Sequence, residues 1–169
     1  MSGREGRAGG GLYLTHSRKA DSYVPMPSID AAALLRGASL RVTRPRVAVL
    51  AMVSENPHSD ADTIATAVRR DLGSVSTQAV YDVLRALTEA GLVRRIEPAG
   101  SPARFETRVG DNHHHLVCRD CGAIADVSCA VGEAPCLHAE DPRGYLLDEA
   151  EVTFWGVCPD CRGAGRAID

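Results

Sequence analysis

The sequence predicts an α+β protein built from two small modules. Three observations carry that expectation. Four short amphipathic helical segments lie between residues 28 and 91, two strand-like segments flanking a Pro/Gly turn follow them, and two Cys-x-x-Cys knuckles sit in a second run of strand-like segments. A chain of 169 residues can hold one ordinary domain or two small ones.

Residues 1–27 are rich in Gly, Ser and Arg, end in Pro25 and Pro27 and carry no apolar period, so they read as a disordered extension. Ile29 to Arg36 forms the first helical segment, closed by Gly37. Thr43 is placed to cap the second, with Pro45 in its first turn and Val47, Leu50, Ala51 and Val53 as an apolar stripe. Ser59 is expected to cap the third, with Asp62 in capping-box position and Ile64, Ala65 and Val68 facing inward. Ser76 should cap the fourth, where Val80, Val83, Leu84 and Leu87 recur at helical spacing until Gly91 stops the helix. Residues 92–96 and 103–107 have strand character and flank Pro98-Ala99-Gly100-Ser101-Pro102. Helices followed by a hairpin over residues 28–108 make a winged helix-turn-helix, although a generic helical bundle with a hairpin has the same pattern. Residues 109–112 read as a hinge. Residues 113–163 read as a small α/β domain with strand-like segments at 115–118, 123–127 and 151–157, and 164–169 as a tail.

Charge divides along the same line. Residues 36–108 hold 11 Arg against 8 acidic residues, whereas residues 109–169 hold 4 Arg against 11 acidic residues. That asymmetry fits a protein whose first module alone meets phosphates, and chance clustering would look similar. No apolar stretch approaches the roughly 20 residues of a membrane span, and the first residues lack a signal-peptide pattern, so a cytoplasmic protein is expected. In a reducing compartment the six cysteines point to metal ligation or redox sensing before disulfides.

The knuckles are Cys118-Arg119-Asp120-Cys121 and Cys158-Pro159-Asp160-Cys161. Two residues between cysteines let both thiolates reach one ion, and two such pairs supply the four sulfurs of tetrahedral Zn(II). One knuckle alone would equally suit a redox motif. Just upstream lies Asn112-His113-His114-His115. In an extended segment His113 and His115 share a face and His114 points away. Two imidazoles on one face want oxygen partners to complete an Fe(II), Mn(II) or Zn(II) site, and Glu106 and Asp126 are the candidates, with His58 as a third nitrogen. A solvated polar run is the bland alternative. A set drawn from both modules would couple metal occupancy to the angle between them. On the fourth helix, Ser76, Thr77 and Gln78 lie at the N-terminus and Tyr81 one turn on, positions from which side chains reach base edges or phosphates. Arg44 and Arg46 at the second helix start suit phosphate contacts, and a solvated helix face would read alike. No Ser/His/Asp order, phosphate loop or lone carboxylate pair argues for an enzyme, and a zinc-containing thiol oxidoreductase gives the first module no purpose.

Taken in order, "TRPRVAVL", "HSDADTIA", "STQAVYDVLRALTEAGLV", "RFE", "HHHLVCRDCG" and "GVCPDC" resemble the ferric uptake regulator family from about Thr43 to Cys161. The resemblance implies a homodimeric, metal-dependent repressor that binds double-stranded operator DNA through the winged helix and pairs through the second domain. It implies structural Zn(II) on Cys118, Cys121, Cys158 and Cys161. It implies regulatory Fe(II) or Mn(II) on His58, Glu106, His113, His115 and Asp126, and a DNA contact by Tyr81. Asp126 resembles the peroxide-sensing branch and Glu106 the iron-sensing branch. The stretches "DVSCAVGEAPCL" and "DEAEVTFWGVCPDC" look like members encoded beside catalase-peroxidase genes, so peroxide sensing through Fe(II) is the expected function, with iron or zinc homeostasis as the alternative. Asn112, His114 and Ala150 depart from the pattern of an additional family metal site. Cys129 and Cys136 are extra thiols, read as core residues, as redox-active, or with His138 as a local ligand pair.

Overall fold

The computed structural model describes residues 29–111, 113–128, 141–147 and 150–164. The predicted extension at 1–27, the last five residues of the tail, and Cys129 and Cys136 lie outside the described residues.

Each of the longer helices begins where the sequence supplies an oxygen for its first free N–H groups. Asp30 accepts from the Ala33 amide at 2.9 Å ahead of α1 (Ala31–Gly37). Thr43 accepts from the Arg46 amide at a long 3.5 Å ahead of α2 (Arg44–Glu55). Ser59 is not the third cap. It belongs to a two-residue strand, β1 (Ser59–Asp60), paired with Phe105, and its hydroxyl donates to the Asn56 carbonyl at 2.9 Å. Asp60 therefore caps α3 (Ala61–Leu72), accepting from the Thr63 amide at 2.8 Å. A long-range strand pairing has claimed Ser59, and local pattern does not reveal such pairings. Ser76 caps α4 (Thr77–Glu89) as expected, accepting from the Ala79 amide at 3.1 Å.

Just past the end of α4, Gly91, at φ 67°, opens the closing loop in which the Leu92 amide reaches the Leu87 carbonyl at 3.0 Å. α1 closes in the same way, but the left-handed residue is Ser39 (φ 58°) rather than Gly37. The Leu40 amide must reach the Leu35 carbonyl, at 2.8 Å, for Leu40 to fold back on the core, and that fixes the turn one residue before it. The core gathers Leu35 from α1, Val49, Leu50 and Val53 from α2, Ile64 and Val68 from α3, Val80, Leu84 and Leu87 from α4, and Phe105 from the wing. Val49 joins this buried stripe, whereas the expected Ala51 is only partly covered.

After α4 come β2 (Arg94–Ile96) and β3 (Arg104–Glu106), which with β1 make an antiparallel sheet in the order β1-β3-β2. Helices followed by this small sheet form the winged helix-turn-helix. The second sheet holds β4 (His113–Cys118), β5 (Ile124–Ser128) and β6 (Thr153–Gly156) in the order β5-β4-β6, with β4 antiparallel to β5 and parallel to β6. A one-turn helix absent from the sequence reading, α5 (Pro159–Gly163), closes the described chain.

Two substitutions check the reassigned cap. Asp60→Ala should lower unfolding free energy by about 1 kcal/mol or more, through the lost cap and its ion pair with Arg104. Ser59→Ala should cost less than half as much. Denaturant unfolding of the zinc-loaded protein reads both, and the reverse ranking would return the cap to Ser59.

Candidate metal centre

Strand pairing brings the four knuckle cysteines together. β4 ends at Cys118, and its parallel register with β6 sets Cys118 beside Gly156, just ahead of the second knuckle. In the first knuckle the chain turns through Gly122, at φ 70°, with its amide bonded to the Cys118 carbonyl at 3.0 Å. Cys158 stands at the start of α5, and its amide donates to the Cys118 sulfur at 3.3 Å. All four sulfurs lie within 4.8 Å of one another, and Cys121 Sγ is 3.7 Å from Cys158 Sγ. A tetrahedron of zinc–sulfur bonds near 2.3 Å has edges of about 3.8 Å, so the donor set fits Zn(II). Amides of Cys121 and Cys158 draw the Cys118 thiol down to about 6, whereas hydrogen bonding with the thiols of Cys158 and Cys121 pushes Cys161 up to about 12. The Cys118 thiolate forms readily while Cys121 and Cys161 resist ionisation; a dication would remove that conflict.

The second cluster surrounds a carboxylate with no exposure, Glu106 at the end of β3. His58 Nε2 lies 3.1 Å from Glu106 Oε2 and 2.8 Å from Asp126 Oδ1. His115 Nε2 lies 3.4 Å from Glu106 Oε2 and 3.7 Å from Asp126 Oδ1. These four side chains place donor atoms within 4.8 Å of one another. His113 joins through the other oxygen, with Nε2 at 3.1 Å from Glu106 Oε1. Metal–ligand bonds of about 2.1 Å imply donor separations of roughly 3.0–3.4 Å, close to those found. Imidazoles and carboxylates, with Glu106 and His115 buried, are also the right donors for a divalent first-row metal. His115 Nδ1 is buried without a hydrogen-bond partner among the described residues, and its ring packs edge-on against those of His58 and His113.

Local structure explains the convergence. His58 adopts a left-handed backbone, φ 62°, with its amide donating to the Phe105 carbonyl at 2.8 Å. Such a conformation costs a non-glycine residue about 1 kcal/mol or more, and here it turns the ring toward Glu106. β4 alternation puts His113 and His115 on one side, as expected, and pairing sets His115 directly opposite Asp126. All three histidines are buried, which removes the solvated-run reading. His114 faces the other way, its ring 6.2 Å from that of Phe154. Burial alone would raise the Glu106 pKa, but hydrogen bonds from His115 and His58 and the charges of His115 and His113 bring it down to about 2. Burial likewise opposes charge on His58, yet hydrogen bonding to Glu106 and the charges of Asp126 and Glu106 lift it above 6.5.

Two residues of this cluster escaped the sequence reading. Asp111 Oδ1 lies 2.6 Å from His113 Nδ1, and Arg108 holds both Asp111 and Asp126. The available signal was a carboxylate near a candidate ligand histidine, since the second ring nitrogen of such a histidine commonly bonds a carboxylate.

On the helical module, Ser76, Gln78 and Tyr81 are exposed along the first turns of α4. Thr77 Oγ1 instead accepts from Arg69, which also donates to the Val75 carbonyl and so fastens α3 to the start of α4. Gln78 donates to Asp82 at 3.0 Å. Arg44 is exposed at the start of α2, and Arg46 donates to the Arg41 carbonyl at 2.9 Å.

The sequence profile described as the ferric uptake regulator family matches residues 37–154. The chain belongs to the ferric uptake regulator family. As a member it is a metal-dependent transcriptional regulator and not an enzyme. It is 70% identical over 132 residues to the transcriptional regulator FurA of Mycobacterium tuberculosis, covering 78% of this chain and 90% of that one. Among solved structures it resembles the Campylobacter jejuni peroxide stress regulator, with TM-score 0.61 and 26% identity over 79% of this chain and all of the other. It also resembles the Pseudomonas aeruginosa ferric uptake regulator with manganese, with TM-score 0.58 and 29% identity over 78% of this chain and 99% of that one.

The raised His58 pKa has a measurable consequence. In the metal-free protein its protonated pairing adds stability that is complete below about 6.5 and lost as pH rises through the folded-state value. The Glu106 contribution has the opposite sense, present above about 4.5 and lost as pH falls toward about 2. A cation bound through His58 must displace its proton. Mn(II) affinity should therefore climb between about pH 6 and pH 8, with proton release detectable by calorimetry in buffers of different ionisation heat. Affinity independent of pH over that range, with no proton released, would remove His58 from the ligand set.

Proposed function

We propose that this regulator grips its operator when a divalent cation fills the site of His58, Glu106, His113, His115 and Asp126, and lets go when peroxide oxidises that site in its Fe(II) form. The observation that carries the reading is the origin of the ligands. His58 and Glu106 belong to the winged-helix module, while His113, His115 and Asp126 belong to the second sheet. An ion held by all of them fixes how the two modules meet, which makes occupancy a switch.

The rest of the chain supports this assignment. Exposed Ser76, Gln78 and Tyr81 on α4 would read DNA, while Arg44 and Arg46 hold phosphate, as recognition helices and their neighbours do in winged-helix proteins. Zn(II) on Cys118, Cys121, Cys158 and Cys161 would hold the ends of β4 and β6 together. The outward side of that sheet exposes Leu116 and Phe154, an apolar surface suited to a second copy of the chain. A symmetric pair would then set the spacing of two DNA-reading helices. Among the described residues, no helix is long and apolar enough to cross a membrane.

His58, Glu106, His113, His115 and Asp126 would hold Fe(II), which would supply the redox chemistry that lets peroxide oxidise a neighbouring ring: in net terms an imidazole C–H of His58 or His113 gives up two electrons and gains one peroxide oxygen, while the other oxygen leaves as water. Resemblance to members encoded beside catalase-peroxidase genes makes oxidative-defence genes the proposed targets, and similarity to a peroxide stress regulator points the same way. Iron homeostasis is the second reading, favoured by Glu106, the carboxylate found in the iron-sensing branch.

Brief peroxide treatment separates these readings. The Fe(II) form should lose operator binding and gain the mass of one oxygen on His58 or His113, while the Mn(II) form keeps both its mass and its binding. An Fe(II) form that still binds DNA with unmodified histidines would favour iron homeostasis. A disulfide with intact histidines would move the chemistry to sulfur.

A further inference from the structure

We propose that Arg108 is a positioning residue for the divalent-cation centre, orienting ligands on two strands without touching the ion. Its guanidinium donates through Nε to Asp111 Oδ2 and through a terminal nitrogen to Asp126 Oδ2 at 3.3 Å. Both carboxylates keep their second oxygen for the site. Asp126 Oδ1 faces His58 Nε2 at 2.8 Å, and Asp111 Oδ1 meets His113 Nδ1 at 2.6 Å. One planar fork therefore sets a ligand on β5 directly and a ligand on β4 through one intermediary.

The chemistry of each link explains the need. Asp126 is partly exposed and would otherwise rotate or turn to water. With Oδ2 held by Arg108 it presents a single oxygen in a fixed direction. With Asp111 accepting from its Nδ1–H, His113 would turn its Nε2 lone pair toward an ion on the side of Glu106. The fork also spans the turn between the two modules. Arg108 follows Glu106 by two residues, and Asp111 precedes His113 by two, with Gly110 (φ 74°) between them. Lysine would carry the charge but could not direct two hydrogen bonds along one plane.

This inference rests on the reading of the cluster as a divalent-cation site, and the test separates the two. Mn(II) dissociation constants are measured by electron paramagnetic resonance on the zinc-loaded full-length protein for the wild type, Glu106→Gln, Arg108→Gln and Arg108→Lys. Zinc content and the thermal midpoint without manganese report folding. Arg108→Gln should weaken Mn(II) binding by about 10-fold to 100-fold, the usual effect of removing an outer partner, and alter the bound-manganese spectrum. Arg108→Lys should recover only part of the affinity. Unchanged affinity in Arg108→Gln, with Glu106→Gln impaired, would overturn the role of Arg108 and leave the site intact. Full recovery by lysine would overturn the fork and leave only charge. Unchanged affinity in Glu106→Gln would overturn the site itself.

Discussion

A carboxylate with no exposure to water stays ionised only if its surroundings replace that water, and Glu106 imposes this condition on everything near it. Three imidazoles answer it from three directions. His58 must then take a left-handed backbone, β4 must be buried along its first three residues, and β3 must end beside the second sheet. Features that look separate in the sequence serve one electrostatic requirement. Protons can meet it in part, as the raised His58 pKa shows, but a proton on one ring does not bind several ligands at once. A dication in the proposed site would, and it would draw together residues that belong to different modules.

The two clusters divide the work. The cysteines sit where β4 and β6 run side by side, so an ion there braces one module internally. The His/carboxylate cluster sits where the modules meet. Soft thiolates and harder imidazole-carboxylate donors also select different metals, so a permanent ion and an exchangeable one can coexist in a small protein. The connection between them is short, because β4 starts with His113 and ends with Cys118.

Much of this was legible in the sequence, for reasons that differ by residue. Cys-x-x-Cys spacing is a local geometric statement, so the knuckles could be paired without a structure. Period-two alternation placed His113 and His115 together, and strong amphipathic periodicity gave α3 and α4. What stayed hidden depends on contacts between distant segments. Ser59 looked like a cap until Phe105 paired with it, Gly37 looked like a terminator until Leu40 was drawn to the core, and no local pattern marks Arg108, whose partners are Asp111 and Asp126. His58 was recognisable as a candidate third nitrogen, and the family resemblance implied the same, but the backbone twist that aims it could not be read from composition. Charge asymmetry along the chain hinted at a nucleic-acid partner without naming the residues that would meet it.

The direct test of the account is operator binding titrated with Mn(II), comparing the wild type with Glu106→Gln while zinc content and far-ultraviolet spectra are held equal. The substitution keeps the shape of the side chain and removes the buried charge. If Glu106 is the point through which an ion ties the modules together, the variant should not bind its operator at manganese concentrations that saturate the wild type. A variant with the wild-type manganese midpoint would contradict the account.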